Sequence, residues 1–108
     1  MRFMVTASWP VAAGNAAARA GTIGETVQAI LDDIKPEAVY FIAQGGKRTT
    51  VMIVDMADAS DLPRIAEPWF LAFDASIDAT PVMLPEDLAA AGPAIESAVK
   101  KFTAPIGW

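Results

Sequence analysis

Ala38-Val39-Tyr40-Phe41-Ile42-Ala43-Gln44-Gly45-Gly46-Lys47-Arg48-Thr49-Thr50-Val51-Met52-Ile53-Val54-Asp55-Met56 holds two runs of β-branched, aromatic and other apolar residues, parted by a glycine pair. Such side chains suit a pleated, half-buried surface. Two adjacent glycines supply the positive φ angles that a tight hairpin turn needs. The stretch therefore predicts a strand over Ala38–Gln44 and another over Thr49–Met56, paired antiparallel. Working outward, Pro36 closes an upstream helical pattern in which Ile23, Val27, Ile30, Leu31 and Ile34 recur at helical spacing. That pattern predicts helix between Asn15 and Ile34. Gly21 and Gly24 weaken its first half, and Thr22 with Glu25 has the spacing of a capping box. The expectation is one imperfect helix, or a short turn and then a better helix.

Before this helix, Phe3, Val5, Ala7 and Trp9 alternate with Met4, Thr6 and Ser8, which reads as a strand from Arg2 to about Trp9, ended by Pro10. After the hairpin, Asp58 or Ser60 is placed to cap a helix with the apolar stripe Leu62, Ile65, Trp69 and Phe73. Pro63 suits its first turn, whereas Pro68 predicts a kink or an early break. Ser76–Met83 reads as a fourth strand. Pro85-Glu86-Asp87-Leu88 opens a helical turn, Gly92 and Pro93 interrupt it, and Ile95, Val99 and Phe102 mark a last short helix. The order βαββαβ, with extra C-terminal helix, is that of a ferredoxin-like α+β domain: a four-stranded antiparallel sheet with helices on one face. A length of 108 residues fits one such domain spanning 1–108.

Composition narrows the function classes. The chain has 13 acidic and 8 basic residues, a net charge of −5, so a nucleic-acid partner is not expected. No apolar run has the length of a signal peptide or a membrane span, and no cysteine points to a disulfide framework; together these lead us to expect a cytoplasmic protein that makes no membrane contact. With neither histidine nor cysteine there is no material for a Ser-His-Asp triad, a thiolate nucleophile, or a His- or Cys-ligated metal site. No cofactor is expected. Charged residues make up 19% of the chain, which leaves apolar surface for a second subunit.

Alternation assigns Phe3, Val5, Ala7, Val39, Phe41, Val51, Ile53, Ile77 and Ala79 to the face under the helices. It assigns Met4, Thr6, Ser8, Tyr40, Ile42, Met52, Val54, Met56, Ser76, Asp78 and Thr80 to the other. The second set is too apolar for an open face and too polar for a dry core. Two sheets closing on each other around a partly wet cavity would explain it, and a homodimer is the expectation.

The element order, the two-glycine hairpin and this mixed face resemble the dimeric α+β barrel superfamily, which includes small monooxygenases, muconolactone isomerases and many proteins of unknown function. More narrowly, Ala66-Glu67-Pro68-Trp69-Phe70-Leu71-Ala72-Phe73, Pro81-Val82-Met83 and Pro85-Glu86-Asp87-Leu88 resemble segments of small uncharacterised bacterial proteins. The resemblance implies a barrel lumen at the dimer interface. The superfamily's enzymes often place a histidine or a tyrosine there. This chain has no histidine, so no catalytic residue is carried over.

Within such a lumen the candidates for proton transfer are Asp78 and Tyr40, since a carboxyl buried among apolar neighbours is poised for acid–base work. Met4, Thr6, Met52 and Trp9 are the candidate ligand-binding residues, Trp9 at a pocket mouth. The plainer reading of Asp78 is a structural hydrogen bond, or a position near the strand end in water. Trp69 and Phe73 read as core, and Phe70 as a residue facing a partner. Trp108 is a candidate clip onto a partner. Asp55, Asp58 and Asp61 have a spacing open to a hard cation, but acids at a helix start are ordinary. Gly45-Gly46-Lys47-Arg48-Thr49 lacks the upstream glycine of a phosphate loop and reads as a hairpin with basic tips, where Lys47 and Arg48 could attract an acidic ligand at the barrel rim. Three functions follow: binding of a small organic molecule, cofactor-free isomerase or monooxygenase chemistry, or a ligand-free assembly or regulatory role.

Overall fold

The computed structural model describes residues 1–104. Four strands, β1 (Arg2–Ser8), β2 (Ala38–Gln44), β3 (Lys47–Asp55) and β4 (Ser76–Pro81), form one antiparallel sheet in the order β2-β3-β1-β4. The five helices are α1 (Val11–Ala20), α2 (Ile23–Ile34), α3 (Leu62–Phe73), α4 (Pro85–Ala90) and α5 (Gly92–Phe102). Central β1 and β3 with edge strands β2 and β4 give a loosely ferredoxin-like sheet. The departures are a first crossover of two helices and two helices after the last strand.

The crossover is neither one imperfect helix nor a turn followed by a helix, but two helices. α1 begins at Val11, four residues before Asn15, and ends at Gly21, whose φ of 73° forms a left-handed cap. Its residues are mostly alanine, so intrinsic propensity, not an apolar period, makes it helical. Thr22 takes the N-cap position of α2, but its hydroxyl donates to the Ala17 carbonyl at 3.5 Å and makes no capping bond. The second helix also corrects an expectation. α3 runs unbroken through Pro68. A proline there costs roughly 3 kcal/mol through its missing N–H and its clash with the preceding turn. Ile65, Ala66, Trp69 and Phe73 on either side of it are buried, and their packing holds the helix together. Ahead of α3, Asp58 accepts from the Ser60 backbone N–H at 2.9 Å and from the Ser60 hydroxyl, capping a 3-10 turn over Ala59–Asp61.

The hairpin fixes which residues share a face. Gly45 and Gly46, at φ 60° and 75°, make the two-residue turn, and Gln44 pairs with Lys47. Directly opposed residues in an antiparallel pair lie on one face. An even residue of β2 therefore lies beside an odd residue of β3: Tyr40 opposes Val51, and Val39 opposes Met52. This overturns the face assignment of β3. Met52 and Val54, with Met56 beyond the strand end, are buried in the core beneath the helices. Val51 and Ile53 belong to the open face beside Thr6 and Met4. Val5, Ala7, Met52, Ile30, Ile34, Ile65, Trp69 and Phe73 form the centre of the core. Within it the Trp9 and Phe73 rings stack at a centroid distance of 4.1 Å and an interplanar angle of 6°.

Exposed carboxylates brace the edges. Arg2 Nε and Nη2 each donate to Glu37 at 3.0 Å, a bidentate pair across the sheet. The hydrogen bond from Arg2 holds the Glu37 carboxyl below its ordinary value of 4.5, and the bonds from the Ser60 hydroxyl and N–H hold Asp58 below 3.8. Folded values below the unfolded ones mean that this stabilisation is complete above the unfolded pKa and is lost as pH falls through the folded one. The thermal midpoint is expected to be flat from about pH 6 to 5 and to fall below about 4.5. Circular dichroism melts across this range check it, with Glu37→Gln expected to flatten part of the acid limb.

Candidate functional site

A cleft of about 550 Å³ opens on the helix side of the sheet, between α2 and the β2–β3 hairpin. Its α2 wall is Ile23, Val27 and Leu31, one flank of the stripe whose centre, Ile30 and Ile34, is buried in the core. Its sheet wall is Phe41, Thr50 and Arg48, and Trp9 closes the inner end. The cleft exists because β2 is an edge strand that the helices do not cover: Phe41 remains 58% exposed, while its opposite neighbour Thr50 is buried.

Beside Gln28 and Thr49, three polar groups of the lining residues stand out. Trp9 Nε1 and Thr50 Oγ1 are buried with no hydrogen-bond partner among the described residues. Buried polar groups of this kind ordinarily have partners, and each lost bond costs about 1–3 kcal/mol. Arg48 supplies the third. Its Nη1 donates to Asn15 Oδ1 at 3.0 Å, and its guanidinium lies over Gly14, where an added Cβ would come within 2.7 Å of Nη1. No carboxylate among the described residues lies within ion-pair distance of Arg48. The cleft thus has aliphatic and aromatic walls with the exposed Arg48 guanidinium in its lining, while Trp9 Nε1 and Thr50 Oγ1 lie sealed behind that lining.

The sequence-derived site residues divide between the two faces of the sheet. Tyr40, Val51, Thr6 and Asp78 form one row across all four strands of the open face, with Met4 in the next row. Asp78 opposes Thr6 directly. Tyr40 sits three strands from Asp78, roughly 14 Å at the usual strand spacing. The two are not brought together within a chain, and both are exposed. The burial expected to make Asp78 an acid or base is absent from the single chain. Met52 lies on the opposite face, fully buried, and cannot line a lumen with Met4 and Thr6. Trp9 is also on the helix side, where it borders the cleft.

Sequence reading missed Thr50, and it placed Arg48 with Lys47 as an attractor of acidic ligands at a barrel rim rather than in a cleft under the helices. The two-residue turn held the missing signal, because its parity puts Arg48, Thr50 and Met52 on the helix side together. Asp55, Asp58 and Asp61 do not converge. Asp55 accepts from the Met1 amine at 2.7 Å, Asp58 caps, and Asp61 Oδ2 accepts from the Ala57 N–H at 2.8 Å. Trp108 lies outside the described residues. Among those residues no helix is long and apolar enough to cross a membrane.

Fold and cleft together define a small α+β domain with a four-stranded antiparallel sheet and an apolar recess that has Arg48 in its lining. The chain belongs to the DUF3303 family, a domain of unknown function whose family model matches residues 1–96. No curated protein matches the chain, and no solved structure matches it.

Proposed function

We propose that this protein binds a small organic acid with an aromatic or branched apolar body in the cleft between α2 and the β2–β3 hairpin, and that it does so as a homodimer paired through the open face of the sheet. The observation that carries the binding reading is an apolar cleft whose lining holds the Arg48 guanidinium, which forms no ion pair among the described residues. A cleft of this volume suits a small ligand. A ligand carboxylate matches the fork of Arg48, which is exposed in the cleft lining. Ile23, Val27, Leu31 and Phe41 provide the apolar contact. Binding is favoured over catalysis because the two candidate proton-transfer residues, Asp78 and Tyr40, lie on the other face. The dimer reading rests on Tyr40, Ile42 and Met4, which leave large apolar area exposed on a sheet face.

The test is titration with 2-naphthoate, read through tryptophan emission, beside native mass spectrometry of freshly purified protein. Saturable binding is expected. Arg48→Met is expected to weaken it about 10- to 150-fold, the worth of one hydrogen bond to a charged group. Absence of saturation, together with no small molecule retained in the native spectrum, would refute the binding reading.

A further inference from the structure

The C-terminal arm is the least accounted-for part of the molecule. No residue of α4 or α5 is buried, and Leu88, Ile95, Val99 and Phe102 are each more than half exposed. An isolated 11-residue helix is marginal in water, so α5 needs a surface to pack on. The arm does not fold back on its own domain. The molecule measures 65 × 32 × 22 Å with a radius of gyration of 19.0 Å, against roughly 13 Å for a compact chain of this length. It exposes 7280 Å², where a compact monomer of 11.4 kDa exposes roughly 5,800 Å². The excess, roughly 1,500 Å² per chain, is well above the roughly 800 Å² that each partner of a standard interface contributes.

The same chain carries a groove that fits the arm. A hollow between α3 and edge strand β4 adjoins a second one, lined by Met1, Phe3, Met56 and the 3-10 turn, with which it shares Leu62 and Ala79. Leu62, Ala66 and Phe70 line one wall at four-residue spacing, and Ile77 and Ala79 form the floor. That wall is about 12 Å long at 1.5 Å per residue, and the stripe Ile95–Phe102 spans about 10 Å. Glu67 stands at the groove, and Lys100 and Lys101 lie in the last turn of α5.

We infer that the arm is exchanged: α5 of each chain lies in the α3–β4 groove of a second copy, pivoting on the Val82–Leu84 link. This rests on the proposed homodimer and adds to it a contact that sheet pairing alone does not contain. Exchange of one element between identical chains turns a face that lacks a cis occupant into a symmetric interface. It also explains why α5 is amphipathic yet unburied in the single chain.

Sedimentation of the full chain and of Val99→Asp/Phe102→Asp tests it. Both substituted residues are exposed in the single chain, so the domain itself is not expected to suffer. The unmodified chain is expected to be a dimer, and the double variant to dissociate with a constant raised about tenfold or more, as for an interface anchor. An unmodified dimer that the double variant leaves intact overturns the exchange while sheet pairing stands. An unmodified monomer overturns both. The chain has no cysteine, so engineered pairs read the geometry directly. Co-expressed chains bearing Phe70→Cys and Ile95→Cys separately are expected to link as a disulfide-bonded heterodimer. A monomeric intrachain link in the Phe70→Cys/Ile95→Cys double variant would instead show the arm closing on its own groove and would overturn the inference.

Discussion

Trp69→Ala is expected to lower the free energy of unfolding by about 3–5 kcal/mol, the cost of emptying an aromatic site in a packed core. Trp69 is fully buried and its ring lies 6.1 Å from that of Trp9 and 6.2 Å from that of Phe73. Its loss removes the anchor that follows Pro68, the weakest point of α3. The helix would then have less packing to offset the missing hydrogen bond. Small domains have about 5–15 kcal/mol in all, so the variant should sit near the edge of folding. Urea denaturation followed by circular dichroism measures this. A loss below about 1 kcal/mol would mean that α3 is held by something other than its buried face.

The second large effect separates neighbours in sequence. Met52→Asp places an unpaired carboxylate at a fully buried position beneath the helices. An uncompensated buried charge costs about 3–5 kcal/mol, enough to unfold the domain or force the carboxyl to stay protonated. Val51→Asp places the same group one residue away, on the open face opposite Tyr40 and Thr6. There the fold is expected to survive, and the proposed sheet pairing is expected to weaken. Proton–nitrogen correlation spectra distinguish the two: collapsed dispersion for Met52→Asp and a native pattern for Val51→Asp. The reverse outcome would restore the face assignment that simple alternation suggests.

That contrast marks what was legible. The glycine pair, the period-two runs and the apolar stripe of α2 are local signals. They located β1, β2, the hairpin and α2 closely, because each depends on residues within a few positions of one another. Met52 shows the next level. Alternation says that Met52 and Val51 face opposite ways, but not which way either faces. The two-residue turn settles that through its pairing parity, and a one-residue error moves a whole strand's side chains to the wrong face. Pro68 shows the limit of local rules. Intrinsic preference predicts a break, and burial of Ile65 and Trp69 overrides it.

By itself the sequence determined an α+β fold built on a four-stranded antiparallel sheet. It also determined that acid, amide, hydroxyl, phenol, indole, ammonium and guanidinium groups are the polar chemistry available, since histidine and cysteine are missing. Tertiary structure decided what those groups face. It separated Asp78 from Tyr40 by the width of the sheet. It turned Trp9 and Thr50 inward without partners and drew Arg48 beneath α1 beside them. It also held α5 away from its own core. Each of these depends on pairings between residues tens of positions apart, set by strand register and by where α2 and α3 cover the sheet, which no local pattern encodes.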